Sequence, residues 1–318
     1  MKNCNTNHIK QLSINEGNGF KLYFYLFLTF NCISFFIMIL CFCILFYYKS
    51  GPYHELYLYQ MKKLQEHHSN IDTIFLGDSS LGNAINADLF NSLSGLKSAN
   101  LALTGLYGFA GSYNMLKKAV KMNRIKNVIL IHTLGTISRP VAYDGYLYSM
   151  ESLTDITELS INEKIDLLET SINQLFSMNN TKRIILYYIL QRIKKYTIEK
   201  DYIKQTIRAK LKKRMHNLTI QINHDKLIFL KRIVEFCEQH KINLLYLHGP
   251  HLNNIDSQSK KDIRTMNLLI ESTGIKIIDN HYFLTPDQTG DALDHVHPDY
   301  KDMITDLYYN DIKHDLVY

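Results

Sequence analysis

Residues 71–80 read Ile71-Asp72-Thr73-Ile74-Phe75-Leu76-Gly77-Asp78-Ser79-Ser80. A short run rich in Ile and Phe stops at a glycine and three small polar residues. This is the pattern of a buried strand that ends in a turn. Working outward, residues 86–94 carry Leu89, Phe90 and Leu93 at helical spacing, and Ser98 to Leu103 read as a second strand followed by Gly105, Gly108 and Gly111. Residues 112–121 predict a helix. Asn127 to Thr133, with Val128, Ile129, Leu130 and Ile131, is a third strand.

The pattern resumes late in the chain. A helix is expected from Leu227 to His240, a strand from Ile242 to Leu247, a helix over 256–271, a strand from Ile275 to Ile278 and a last helix over roughly 299–309. Short buried strands alternating with helices predict an α/β domain with a mostly parallel sheet covered on both faces. In the middle, residues 151–177 suggest one helix, with Leu153, Ile156, Leu159, Ile165, Leu168, Ile172 and Leu175. Arg183 to Leu190 fits a strand or a helix start, and periodicity leaves both open.

The N-terminal part has another character. Leu22 to Tyr48 contains no charged residue and is bracketed by Lys21 and Lys49, with Tyr23, Tyr25, Tyr47 and Tyr48 near its ends. A bilayer core takes about 20 apolar residues in a helix, and interfacial Tyr and Lys mark its edges. The expected order is therefore a short tail over 1–21, a transmembrane helix over 22–48, a polar stalk over 49–70 and one domain over 71–318. The segment is longer than a signal peptide and lacks small cleavage-site residues after it. Basic residues on its two sides barely discriminate orientation, and the short tail makes N-inside the default. Of the five cysteines only Cys237 falls within 71–318, so that domain has no internal disulfide. Asn217-Leu218-Thr219 matches a glycosylation sequon, a weak motif.

The chain's net charge of +6 is local in origin. Residues 191–214 hold ten Lys or Arg against Glu199 and Asp201, a net of +8, so the remainder sums to −2. The segment Arg192 to Arg214 is expected to form an exposed helical insertion, within a larger insertion over about 151–240, that approaches anionic lipid headgroups or an acidic glycan. No nucleic-acid module accompanies it. Gly105, Gly108 and Gly111 miss the dinucleotide-loop spacing, and no histidine pair has a zinc-motif context, so neither cofactor nor metal is expected.

In an open α/β sheet, ligands sit beyond the carboxyl ends of the strands. Ser79 stands just past the first strand, and a serine nucleophile needs a base. His297, three residues after Asp294 and at the entrance to the last helix, can supply it. One helical turn of separation would let the carboxylate fix the ring's tautomer. His295 is adjacent to Asp294, where side chains diverge, so it is not expected to be the base, and Asp291 is a second candidate for the orienting acid.

Phe75-Leu76-Gly77-Asp78-Ser79-Ser80, Asn100-Leu101-Ala102-Leu103-Thr104-Gly105 and Asp294-His295-Val296-His297 together resemble the SGNH (GDSL-type) hydrolase superfamily. The resemblance covers roughly residues 70–135 and 240–312. It implies a flavodoxin-like three-layer sandwich, Ser79 as nucleophile, His297 as base, Asp294 as its acid, and the N–H groups of Ser79 and Gly105 as an oxyanion hole. The family's third block supplies an Asn side chain, whereas Ile131-His132-Thr133-Leu134-Gly135-Thr136-Ile137 has none. Losing such a donor costs about 3 to 4 kcal/mol of transition-state stabilisation, and Thr133 and Thr136 are candidates to replace it. The variation and the membrane helix are similar to acyl-transfer accessory proteins of envelope polymers, of the teichoic-acid D-alanylation and alginate-acetylation type, which work beside a multi-spanning membrane O-acyltransferase. The expectation is serine-dependent acyl or acetyl transfer, or ester hydrolysis, on an envelope polymer at the bacterial cell membrane, with the soluble domain extracytoplasmic. The contrasting expectation is a catalytically impaired scaffold.

Overall fold

A computed structural model of the chain describes residues 21–37, 39–40, 52–67, 69–137, 139, 141, 143–176, 197–207, 227–253 and 257–318. A five-stranded parallel sheet forms the middle layer. Its strands are β1 (Thr73–Gly77), β2 (Ser98–Asn100), β3 (Asn127–His132), β6 (Asn243–His248) and β7 (Lys276–Ile277). They lie in the order β2-β1-β3-β6-β7. Thr73 is in register with both Ser98 and Asn127, and Asn127 with Asn243.

Alternation along the strands divides the core. Ile74, Leu76, Val128, Leu130 and Tyr246 face one side with α4 (Gly108–Met122), α7 (Leu227–Gln239) and α8 (Ser257–Glu271). Phe75, Ile129, Ile131, Leu245 and Leu247 face the other with α2 (Ser79–Ala84), α3 (Ala87–Ser94) and α9 (Lys301–Ile312). Both sides of each central strand are thus apolar and buried, which is why these strands read as continuous hydrophobic runs rather than alternating ones. The result is three layers, helices on sheet on helices.

Gly77 ends β1 where backbones meet. A Cβ placed there would lie 1.7 Å from the carbonyl oxygen of Ile131, so no larger residue fits between β1 and β3. The chain then turns at once. Asp78 caps α2 by accepting from the Ser80 N–H.

Three expectations are corrected. The stalk is part of the domain: α1 (Pro52–Glu66) buries Leu56, Gln60 and Leu64, one residue per turn along a single helix face, along with Tyr57. The single helix over 151–177 is two pieces, a 3-10 segment (Leu153–Glu158) capped by Ser152 and then α6 (Ile161–Phe176). Residues 197–207 of the basic segment are not helical. Ile198–Glu199 (β4) and Tyr202–Ile203 (β5) make an antiparallel hairpin whose turn residues Lys200 and Asp201 both have positive φ, the geometry a two-residue hairpin needs. Residues 191–196 and 208–214, the alternative strand or helix at 183–190, and the sequon at 217–219 lie outside the described residues. So does residue 38 and the part of the apolar segment beyond residue 40. Residues 21–37 and 39–40 are helical with Leu22, Phe27, Phe30 and Phe36 exposed. Among the described residues, no helix is long and apolar enough to cross a membrane.

Candidate active site

The carboxyl ends of β1, β2 and β3 face a cavity of about 820 Å³ lined by Ser79, Gly105, Arg139, Gln205, Asp291 and His295 among others. Ser79 arrives there as the first residue of α2. Gly105 arrives because the chain stays beside β1 after β2 ends: Leu101 N–H donates to Phe75 O and Leu103 N–H to Gly77 O. The next two residues therefore come level with Ser79. Ser80 points away from the cavity. It is fully buried and donates its hydroxyl to Asp78 at 2.6 Å.

Asp78, the residue before Ser79, is a buried anion. One carboxylate oxygen accepts from the Ser80 N–H at 3.0 Å and its hydroxyl. The other accepts from Thr133 N–H and Thr136 Oγ1, both at 3.0 Å, and stands 3.4 Å from His132 Nδ1. Burial opposes its ionisation, but His132, the Ser80 hydroxyl and the Thr133 N–H outweigh burial and hold the carboxyl well below the usual range. Thr133 and Thr136, expected as replacement oxyanion donors, are both buried and bonded to Asp78. They fix the floor of the site instead.

The histidine that shares the cavity with Ser79 is His295. Its Nδ1 is 2.6 Å from Asp291 Oδ1, and since a carboxylate only accepts, Nδ1 carries the proton. Nε2 is left as the basic nitrogen, with Asp294 Oδ1 at 3.8 Å, beyond hydrogen-bond range. Burial disfavours the charged ring, yet the Asp291 hydrogen bond and the charges of Asp294, Asp291 and Asp78 hold its pKa above the ordinary 6.5. Asp291 is correspondingly low: burial raises it, and the His295 bond and charge more than offset this.

Asp294 and His297, expected as acid and base, are not brought together as a pair. A spacing of three makes one turn only in a helix, and the backbone over residues 294–297 is not helical. Val296 bridges Thr289 antiparallel, with Gly290 N–H donating to His295 O and His297 N–H to Gln288 O, both at 2.7 Å. A spacing of four across a turn, Asp291 to His295, puts acid and ring together instead. His297 caps the 3-10 turn Pro298–Tyr300, its Nδ1 accepting from Asp299 N–H at 3.3 Å. A neutral ring that accepts at Nδ1 has its proton on Nε2, the opposite tautomer to the one a base acting through Nε2 needs.

Two neighbours were not singled out from sequence. Asn83 follows Ser79 by four residues and donates to Ser79 O at 2.8 Å, a spacing any helix produces. Arg139 lies in the cavity with a guanidinium nitrogen against Gly105: a Cβ on that glycine would sit 2.7 Å from it. Nothing in the sequence marked it. Compared with known proteins, the chain matches no family model and no curated sequence.

Proposed function

We propose that this chain is an SGNH-like, flavodoxin-like serine acyl-handling enzyme in which Ser79 is the nucleophile, His295 the general base and Asp291 the orienting acid. The observation that carries the reading is the shared cavity of Ser79 and His295, with Asp291 fixing the ring so that Nε2 is free. In the first step Ser79 Oγ attacks the carbonyl carbon of an ester while His295 Nε2 takes the hydroxyl proton. The carbonyl oxygen becomes an oxyanion, met by the N–H groups of Ser79 and Gly105. Collapse breaks the ester bond, His295 returns the proton to the departing alcohol, and acyl-Ser79 remains. A second hydroxyl or water, deprotonated by His295, then attacks the acyl group and releases Ser79.

The expected setting is a bacterial cell membrane, with residues 22–48 as a single-pass anchor and the domain on the outer side, acting on an envelope polysaccharide or polymer beside a multi-spanning O-acyltransferase. The uncharged 27-residue segment supports the anchor. The basic residues over 192–214 support approach to an anionic lipid or glycan surface, with the hairpin at 197–207 rather than a helix as the described part of that segment.

The test is incubation of the full-length protein with an activated acetyl ester and mass analysis of the peptide containing Ser79. Acetyl-Ser79 is expected, and its absence together with unchanged turnover in Ser79→Ala would end the proposal. A second reading, a catalytically impaired scaffold for the O-acyltransferase, draws on Thr133 and Thr136 being engaged by Asp78. It predicts no acyl-Ser79 and unchanged polymer acylation in cells carrying Ser79→Ala.

A further inference from the structure

We infer that Gln205, carried on the β4–β5 insertion, is a positioning residue that holds the nucleophile helix and the histidine loop in register across the cavity. The inference rests on the serine acyl-transfer reading above. Its carboxamide sits between the two halves of the site and bonds to both. On the nucleophile side Nε2 donates to Asn83 Oδ1 at 2.8 Å, and Asn83 in turn donates to the Ser79 carbonyl at 2.8 Å. On the histidine side Nε2 also donates to Val296 O at 2.6 Å, while Oε1 accepts from Asp291 N–H at 3.1 Å. The next residue adds a contact, with Thr206 N–H 3.3 Å from Asp291 Oδ2. Asp291 is therefore held at its backbone and at the carboxylate oxygen not used by His295.

A clasp works only if its own support is fixed, and the hairpin that bears Gln205 is held at its turn. Lys63 of α1 pairs with Asp201 at 2.7 Å, Gln60 donates to Asp201 O at 3.3 Å, and Lys301 of α9 donates to Lys200 O at 2.5 Å. The buried Tyr202 donates to Leu103 O at 3.0 Å and lies against α2, where a Cβ on Gly82 would come 2.2 Å from its ring. Gly290 is shaped to the same purpose: a Cβ there would fall 1.9 Å from Gln205 Oε1. The insertion is thus tied to α1, α2, α9 and the loop after β2. An amide is the side chain this position calls for, because it donates to two oxygens and accepts from an N–H. Glu has no donor for Asn83 Oδ1 and Val296 O, and Met, of similar shape, makes none of the bonds.

Displacing catalytic groups by about 1 Å costs on the order of 100-fold in rate. The experiment uses full-length wild type, Gln205→Met and Gln205→Glu. A fluorophosphonate probe reports the Ser79 reaction: Ser79 Oγ bonds to phosphorus, fluoride leaves, and the hydroxyl proton goes to His295. Labelled-histidine NMR reads the His295 titration independently of turnover, and circular dichroism checks folding. The expected result is Ser79 labelling slowed about 10- to 100-fold in both variants, with a lower His295 pKa in Gln205→Met as its contact with Asp291 loosens. Wild-type labelling at Ser79 with unchanged rate and titration in a folded Gln205→Met overturns the positioning role. Wild type that fails to label at Ser79 overturns the serine reading instead, and the His295 titration then decides the clasp alone: a shift in Gln205→Met keeps it, no shift removes it. Should Gln205→Met not fold, Gln205→Glu supplies the same comparison.

Discussion

Asp291 Oδ1 and His295 Nδ1 stand 2.6 Å apart, joined across a turn that begins after Gly290 and closes at the isolated antiparallel bridge between Thr289 and Val296. The bond does two things at once. It orients the ring, and it raises the ring's affinity for a proton, so the same contact that makes His295 a better base also demands a higher pH before the base is free.

The histidine assignment predicts a sharp asymmetry. His295→Ala is expected to lower the rate of Ser79 acylation by a factor of about 100 to 10,000, the usual contribution of a general base. His297→Ala should keep most activity and lose only the cap of the Pro298–Tyr300 turn. Stopped-flow release of an aryl alcohol from an activated ester measures both. The reverse pattern would restore Asp294 and His297 as the working pair.

The pH profile follows from the raised His295 pKa. A base must be neutral to act, so activity should fall as pH drops, with the midpoint of the acid limb above the ordinary 6.5. Asp291→Asn removes a group that raises this pKa, so the midpoint should move to lower pH even as the maximal rate declines. A midpoint that stays in place would detach Asp291 from His295.

Stability toward acid should depend on Asp78. Its folded pKa lies below the ordinary 3.8, so its contribution is fully present above 3.8 and is lost as pH falls from there. Asp78→Asn sets an amide among four donors, leaving some of them buried and unpaired. A loss of about 3 kcal/mol or more is expected by urea unfolding at pH 7, together with a weaker acid dependence below pH 3.8.

His248 gives a second, higher window. It is buried at the end of β6, with Nε2 2.7 Å from Asn267 Oδ1, and burial and the neighbouring His281 push its pKa down to about 3. The unfolded chain takes up a proton near 6.5 that the folded chain refuses until about 3, so stability declines across that interval as pH falls. His248→Leu should flatten the decline between pH 6.5 and 3. Melting temperatures across this range will show whether it does.

Surface approach can be checked by co-sedimentation with anionic liposomes or an acidic polysaccharide. Binding should weaken as salt rises and on charge reversal at Lys210, Lys212, Lys213 and Arg214. Binding indifferent to both would remove the role assigned to residues 192–214.

Most of the sheet was legible because its central strands β1 and β3 are buried on both sides. Runs such as Val128 to Ile131 are unambiguous when bounded by turns, and Gly77-Asp78-Ser79 placed the first loop. What escaped reading has identifiable causes. A spacing of three means one turn only in a helix, and Asp294 to His297 is not helical. The hairpin turn uses Lys200 and Asp201 in the left-handed region, without the Asn-Gly signal, so charge density suggested a solvated helix. The face of α1 is interrupted by Gln60, a polar residue whose amide bonds to Ala102 O, which made a core helix look like a stalk.

That helix also sets a distance. Because α1 is built into the domain from its first turns, with Leu56 and Leu64 in the core, it offers no tether. If residues 22–48 anchor the chain, only residues 49–51 separate the anchor from the body of the protein, a span of at most about 11 Å fully extended. A domain so mounted cannot sweep outward in search of polymer. The height of its cavity over the bilayer is then set by the folded body itself, and under the serine reading an acyl acceptor has to come to the cavity at that height.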